Sequence, residues 1–402
     1  MRPDRRRTAW REACVAAVAV IGIANCHVVT ADTDPVAEHY DASRAALERM
    51  ELVAAEREAA AAYELSGARR GDDGITCALA LHLANVRLAQ GRPEAALEPA
   101  GRAWQRVEAL GAASGVDPSA ARLAFARASL PGGGEEAVQR LELAIAEEAA
   151  QPGSAAYVYA AAVDLAQFAA STQRNQIARD AWATAARILA GDPNPNPVSL
   201  ATAWIGQAAA DILLQLQRDR LLVTPTSSRL RDGDVYRPAH ELLTRAAALL
   251  ADAARERGPT SEPTPAQTLY AQAQAWRTFV ALELRTEGLP TSLSVHAGFD
   301  GLDIGGADDA RPPCAIRILK QPRPVLGSSG LVHDDIAVAI IKARFDDSGA
   351  VEHAVVAAAV GGTEFVEAVD AVAGRWRIGH ADPSDQTCRL ARETFLKLTY
   401  SD

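Results

Sequence analysis

From about Val36 to Gly288 apolar residues return every third or fourth position, the spacing that gives an α-helix one buried face. Leu242, Leu243, Ala246, Leu249, Leu250 and Ala253 show the pattern. Short clusters of Gly, Pro, Asn and Asp interrupt it at Gly71–Gly74, Gly91–Pro93, Asp117-Pro118, Pro131–Gly134, Pro152-Gly153, Asp192–Pro197 and Gly258-Pro259. Asp117-Pro118 and Thr264-Pro265 each place a capping side chain before a first-turn proline, where the missing N–H costs nothing. The polar stretch Leu221–Tyr236 predicts a long loop before a last helix pair over 238–257 and 264–287. The reading is a run of helical hairpins.

Three of these hairpins share a pattern. Leu83-Ala84 precedes Ala96 and Ala103, Leu123-Ala124 precedes Ala137 and Ala144, and Leu165-Ala166 precedes Ala178 and Ala185. The step from Ala96 to Ala137 to Ala178 is 41 residues each time. Two alanines seven apart lie on one helix face and let a partner helix approach closely. Leu83, Ala84, Gly91, Ala96 and Ala103 fall where the tetratricopeptide repeat has its Leu, small residue, turn Gly and two alanines, so the array resembles that family. Its usual period is about 34 residues, which implies longer helices or loops here. An Ala-rich bundle without repeats is the alternative that the pattern leaves open.

After Gly288 the period changes. Residues 289–313 have no periodicity and read as a linker, and all three lysines (Lys320, Lys342 and Lys397) lie beyond it. Ile336–Phe345 is β-branched and apolar, Asp346–Gly349 is a turn, and Val351–Val360 is its partner strand. Thr363–Trp376 is helical, with Phe365, Val369, Val372 and Trp376 on one face. Leu390–Tyr400 alternates as a last strand, with Phe395, Lys397 and Thr399 on one side and Thr394, Leu396 and Leu398 on the other. A three-stranded meander with one helix across it is expected, with Trp376 as a core anchor.

The order of these residues resembles the TonB C-terminal domain. Gly330, Asp347-Ser348-Gly349, Gly361-Gly362, Ala371 and Arg375-Trp376-Arg377-Ile378 fill the family's positions, with Ile378 where an aromatic is usual. The resemblance implies that the last strand offers its edge to a peptide segment of an outer-membrane receptor by strand addition. Carried over, Leu390–Tyr400 would be the docking edge and Glu393, Thr394, Phe395, Leu396, Lys397 and Leu398 its contact residues.

Composition adds an address. The chain has 402 residues, 49% hydrophobic and 23% charged, with a formal net charge of −10, which excludes the basic surface that nucleic-acid binding needs. Arg5-Arg6-Arg7 and Arg11 precede the apolar run Ala13–Ala24, and Val29-Thr30-Ala31 stands before Asp32. Twelve apolar residues fall short of the roughly 20 that span a bilayer, so 1–31 reads as a cleaved export signal; a retained anchor is the alternative. Export removes Cys14 and Cys26. Of the remaining cysteines two are expected to pair in an oxidising compartment, Cys314 with Cys388, while Cys77 reads as a small buried apolar residue.

Chemistry is sparse. His333-Asp334-Asp335 lacks catalytic spacing, and Asp300, Asp303, Asp308 and Asp309 lack calcium-loop spacing. Gly327–Gly330 is no hydrolase elbow and Pro131–Gly134 follows no strand. Neither a metal nor a cofactor is implied. The sequence therefore describes an export signal (1–31), an all-α helical-hairpin repeat array (32–288), a linker (289–313) and a small TonB-like α+β domain (314–402). The expected function is a non-enzymatic periplasmic scaffold. It would bind an envelope or outer-membrane protein by strand addition and other partners through its repeats, with the cell wall as a further contact. Nucleic acid is not a partner, and the membrane is one only if the first segment is kept. The alternative function is a membrane-anchored, atypical TonB energy transducer for outer-membrane transport.

Overall fold

The computed structural model describes residues 34–71, 73–151, 153–222, 233–256, 262–283, 296–303, 316–320, 336–346, 348–380 and 392–401. The chain forms two compact units, Met1–Ser199 and Leu200–Asp402.

Among the described residues of the first unit eight helices form four hairpins: α1 (Pro35–Glu48) with α2 (Leu52–Arg70), α3 (Gly74–Ala89) with α4 (Pro93–Leu110), α5 (Pro118–Ala128) with α6 (Gly134–Glu148), and α7 (Ala155–Ser171) with α8 (Asn175–Ala190). Asp34, Asp73 and Asp117 cap α1, α3 and α5 by accepting from the backbone N–H groups of Val36, Thr76 and Ala120. Each hairpin stacks on the next, and the first helices of successive hairpins also touch, α3 on α5 and α5 on α7.

The alanine pattern is the stacking surface. Ala96, Ala103, Ala137, Ala144, Ala178 and Ala185 are buried, as are Leu83-Ala84, Leu123-Ala124 and Leu165-Ala166. The period begins one hairpin earlier than the sequence reading placed it. Ala55 and Ala62 of α2 lie 41 residues before Ala96 and Ala103 and are fully buried. The turns repeat too. Met50, Gly91 and Gln173, at φ 62°, 67° and 60°, close three of the four hairpins. In each, the N–H after that residue reaches back five residues: Glu51 to Ala46, Arg92 to Arg87 and Arg174 to Ala169. This left-handed closure satisfies carbonyls that the helix end leaves open.

The second unit holds α9 (Pro197–Leu222, whose first residues belong to the first unit), α10 (Arg237–Arg255), α11 (Pro265–Glu283), β1 (His296–Asp303), β2 (Ile316–Lys320), β3 (Ile336–Phe345), β4 (Val351–Val360), α12 (Thr363–Ala373), β5 (Arg377–His380) and β6 (Glu393–Ser401). Among the described residues one helical stretch, Pro197–Arg218, is long and apolar enough to cross a membrane, and more than half of its apolar window is buried within the fold. Thr264 caps α11 reciprocally with Gln267: the Gln267 N–H donates to Thr264 Oγ1, and the Thr264 N–H to Gln267 Oε1. The main sheet is antiparallel in the order β1-β6-β3-β4, and β2 and β5 pair separately.

The sheet has two buried faces. Ala337, Ala339, Ile341 and Ala343 of β3, with Leu396 and Leu398 of β6, pack under Phe365 and Val369 of α12 and against Trp376. Trp376 is 1% exposed, as a core anchor requires, and its Nε1–H has no hydrogen-bond partner among the described residues. The opposite face carries Val338, Ile340 and Lys342, all buried. There α11 lies across β3, β4 and β6, with the Tyr270 and Phe395 rings 5.7 Å apart.

Three expectations are corrected. The strands over 336–345, 351–360 and 393–401 form, but not as a meander, because β6 returns beside β3 and leaves β4 outside. The segment read as a linker contains β1, which pairs with β6. The helical array does not end as a separate domain at 288: α10 and α11 belong to the same compact unit as the sheet. A sheet apolar on both faces needs cover on both, and α12 supplies one side only.

Candidate protein-interaction surfaces

The sequence assigned docking to the edge of β6. That edge is taken. His296, Ala297, Gly298, Phe299 and Asp303 of β1 stand opposite Thr399, Leu398, Lys397, Leu396 and Thr394, while on its other side β6 pairs with β3 from Glu393–Arg344 to Ser401–Ile336. Glu393, Thr394, Phe395, Leu396, Lys397 and Leu398 therefore belong to an interior strand, and the expectation that they form an open edge is overturned. Glu393 and Phe395 turn instead to the α11 face. Glu393 Oε1 lies 3.0 Å from Lys342 Nζ, both side chains are almost fully buried, and Nζ also donates to the Glu262 carbonyl at 3.2 Å.

The outer strands of the main sheet are β1, which pairs with β6 alone, and β4. Gly349–Val351 are bonded to the start of β5, with the Val351 N–H donating to the Trp376 carbonyl and the Ile378 N–H to the Gly349 carbonyl. Beyond that point β4 pairs with β3 alone, and its register slips at Glu352 and Ala357. Such bulges twist an edge strand and blunt its tendency to recruit another.

In the array, polar side chains gather where helices meet. Ser43 of α1 occupies the place held by Ala84, Ala124 and Ala166 in the later hairpins, and it is fully buried. Its hydroxyl donates to the Ala55 carbonyl of α2 at 2.9 Å and stands 2.9 Å from His82 Nε2 of α3. With the hydroxyl proton directed at Ala55, Nε2 carries its own proton and donates to Oγ. That is the reverse of the direction in which a histidine base activates a serine. Burial, and secondarily the Arg44 charge, push the His82 pKa down to about 4. The Tyr40 ring meets His82 edge-on at 5.0 Å. The pair is a packing contact between neutral groups.

The inner helices α3, α5 and α7 are buried along most of their length, so the outer helices carry the surface that a partner can reach. Val53 of α2 is 81% exposed and Leu143 of α6 is 61% exposed. Ion pairs fasten outer helices to inner ones: Glu56 lies between Arg87 (3.0 Å) and Arg92 (2.6 Å). Arg102 donates to the Tyr63 hydroxyl at 2.7 Å, and that hydroxyl donates to Glu98 at 3.2 Å.

Several sequence candidates lie outside the described residues: Cys314 and Cys388, His333-Asp334-Asp335, Asp308-Asp309 and the segment 1–31. Asp300 and Asp303 fall on the backbone of β1. Cys77 is buried in the core of the second hairpin. Among the described residues no three His, Cys, Asp or Glu side chains converge as a metal-binding group. The Ser43–His82 contact was missed in the sequence. The signal available was a serine 41 residues before Ala84 in an otherwise alanine series.

No protein-family model matches the chain, and no curated protein matches it. Among solved structures, a tetratricopeptide repeat protein from Parabacteroides merdae is similar over 64% of this chain and 94% of that one, at 15% identity and a TM-score of 0.29. That likeness carries no argument of its own. The helical-hairpin repeat rests on the chain's 41-residue period and its repeated turns.

Proposed function

We propose that this chain is an exported interaction scaffold of the cell envelope, in which an array of tetratricopeptide-like hairpins holds a protein partner and a TonB-like module ends the chain. The observation that carries the reading is the 41-residue stacking period from Ala55 to Ala178. Stacked hairpins build an extended surface from repeated units, an architecture suited to holding another chain. The order β3, β4, α12, β5, β6, with Trp376 as core anchor, supports the TonB-like part. Strand addition at β6 is no longer part of the proposal.

Photo-crosslinking tests the scaffold role. A photoreactive residue at Val53 or Leu143, in the full chain expressed in its envelope, should trap discrete adducts of higher mass. Absence of adducts from both positions overturns it. Mass spectrometry of the N-terminus tests the address: the proposal expects a mature chain beginning at Asp32. A chain that keeps Ala13–Ala24 in the membrane instead fits the second reading, an anchored energy transducer, which the basic and apolar start of the sequence also supports.

A further inference from the structure

We propose that the Ser43–His82 contact is an acid-sensitive joint that releases the first hairpin, α1 and α2, from the rest of the array. The joint is chemically unlike the others. Where α3, α5 and α7 have buried Ala84, Ala124 and Ala166, α1 has Ser43; two residues before those alanines, α3 has the buried His82 while α5 and α7 have half-exposed Arg122 and Asp164. Arg127 pairs with Asp164 at 2.7 Å, so the last of these positions has a charged partner. Only the first joint among these four hairpins is closed over a neutral base.

Burial first, and the Arg44 charge after it, favour the neutral ring. From α1 come the Tyr40 ring edge, the Ser43 hydroxyl and the Arg44 charge; from α2 comes the Ala55 carbonyl, already used by Ser43. Of the carboxylates of α2, Glu58 is engaged with His39 and Arg57 and Glu56 with Arg87 and Arg92, and Glu64 does not offset the burial of His82. The charged groups of the other packed helices, Glu94, Glu98, Arg102 and Arg106 on α4 and Arg122 and Arg127 on α5, do not offset the burial. An imidazolium here would find one hydroxyl oxygen and a nearby guanidinium. Protonation is therefore met by opening, and the interface that opens is the one His82 closes: Ala46, Ala55 and Ala59 against Leu83 and Val86.

The direction follows from linkage. The ring has its ordinary pKa of about 6.5 when the joint is open and about 4 when it is closed. The contribution to closure is complete above the open value and is lost as pH falls between the two. Within that window each pH unit raises the opening equilibrium about tenfold, and below about 4 it rises no further.

Hydrogen exchange of the full chain read by mass spectrometry, corrected for intrinsic rates, tests this. Between pH 7 and pH 4.5, amides in 34–70 should lose protection by roughly tenfold or more, while those of α7 and α8 hold. His82→Gln keeps a donor to Ser43 without titrating, and S43A/H82L gives the joint the apolar chemistry of the others; each should flatten the pH response of 34–70. Loss of protection in step with α7 and α8, or an unchanged response in the variants, overturns the proposal. If H82Q does not fold, S43A/H82L decides alone.

Discussion

Lys342 of β3 and Glu393 of β6 form an ion pair 3.0 Å long with side chains only 2% and 3% exposed. Sheet register places Lys342 opposite Phe395 and Arg344 opposite Glu393, so the pair bridges diagonally between neighbouring strands on the face beneath α11. The Nζ donation to the Glu262 carbonyl ties the same ammonium to the segment leading into α11. One of only three lysines in the chain thus joins sheet and helix.

Breaking a buried pair leaves a charge without a partner, whereas replacing both members removes the desolvation cost as well. Lys342→Met or Glu393→Leu alone should destabilise by about 3–5 kcal/mol, and the double variant K342M/E393L should recover most of the loss. Urea denaturation of the four proteins gives the coupling. Additive losses would mean that the pair is not a unit.

The hairpin turns allow a gain of stability. Met50 and Gln173 hold left-handed backbone that L side chains adopt at a cost. M50G and Q173G should each stabilise by about 0.5–1 kcal/mol, and G91A should destabilise by about 1 kcal/mol. Shifts of the denaturation midpoint check both signs.

Close helix approach depends on the alanine series. Ala137→Leu, in the stacking face of α6, should cost about 1–3 kcal/mol or more by overpacking. Ala146→Leu, exposed on the same helix, should stay within about 0.5 kcal/mol. Equal effects at the two positions would show that stacking does not rely on the small residue.

Gly349 ends the β3–β4 turn at φ 77°, and a Cβ there would collide with the Ile378 carbonyl oxygen. Its own carbonyl accepts from the Ile378 N–H at 2.8 Å. Gly349→Ala should therefore cost about 2 kcal/mol or more, detected by thermal denaturation. A neutral result would mean that β5 is free to move away from the turn.

The sequence by itself determined the local elements. Helical spacing, the Asp and Thr caps and the proline positions predicted the hairpins, and the alternation along 393–400 placed Phe395 and Leu396 on opposite faces as found. These are short-range matters, settled by neighbours three or four residues away along a helix or two along a strand. The 41-residue step was legible from Ala96 onward because alanine recurs there. It was hidden at the first hairpin, where Ser43 breaks the series.

Only the tertiary structure decided which strand is an edge. β1, with Gly298, Asp300 and Gly301, has little strand character of its own, yet pairing with β6 makes it a strand and moves β6 from the margin to the interior. The same holds for Lys342: its burial depends on Glu393, 51 residues away, and on the helix above. Local pattern fixes what a segment is. Which segments meet, and so which surface remains open, is set by long-range packing that no single stretch of sequence encodes.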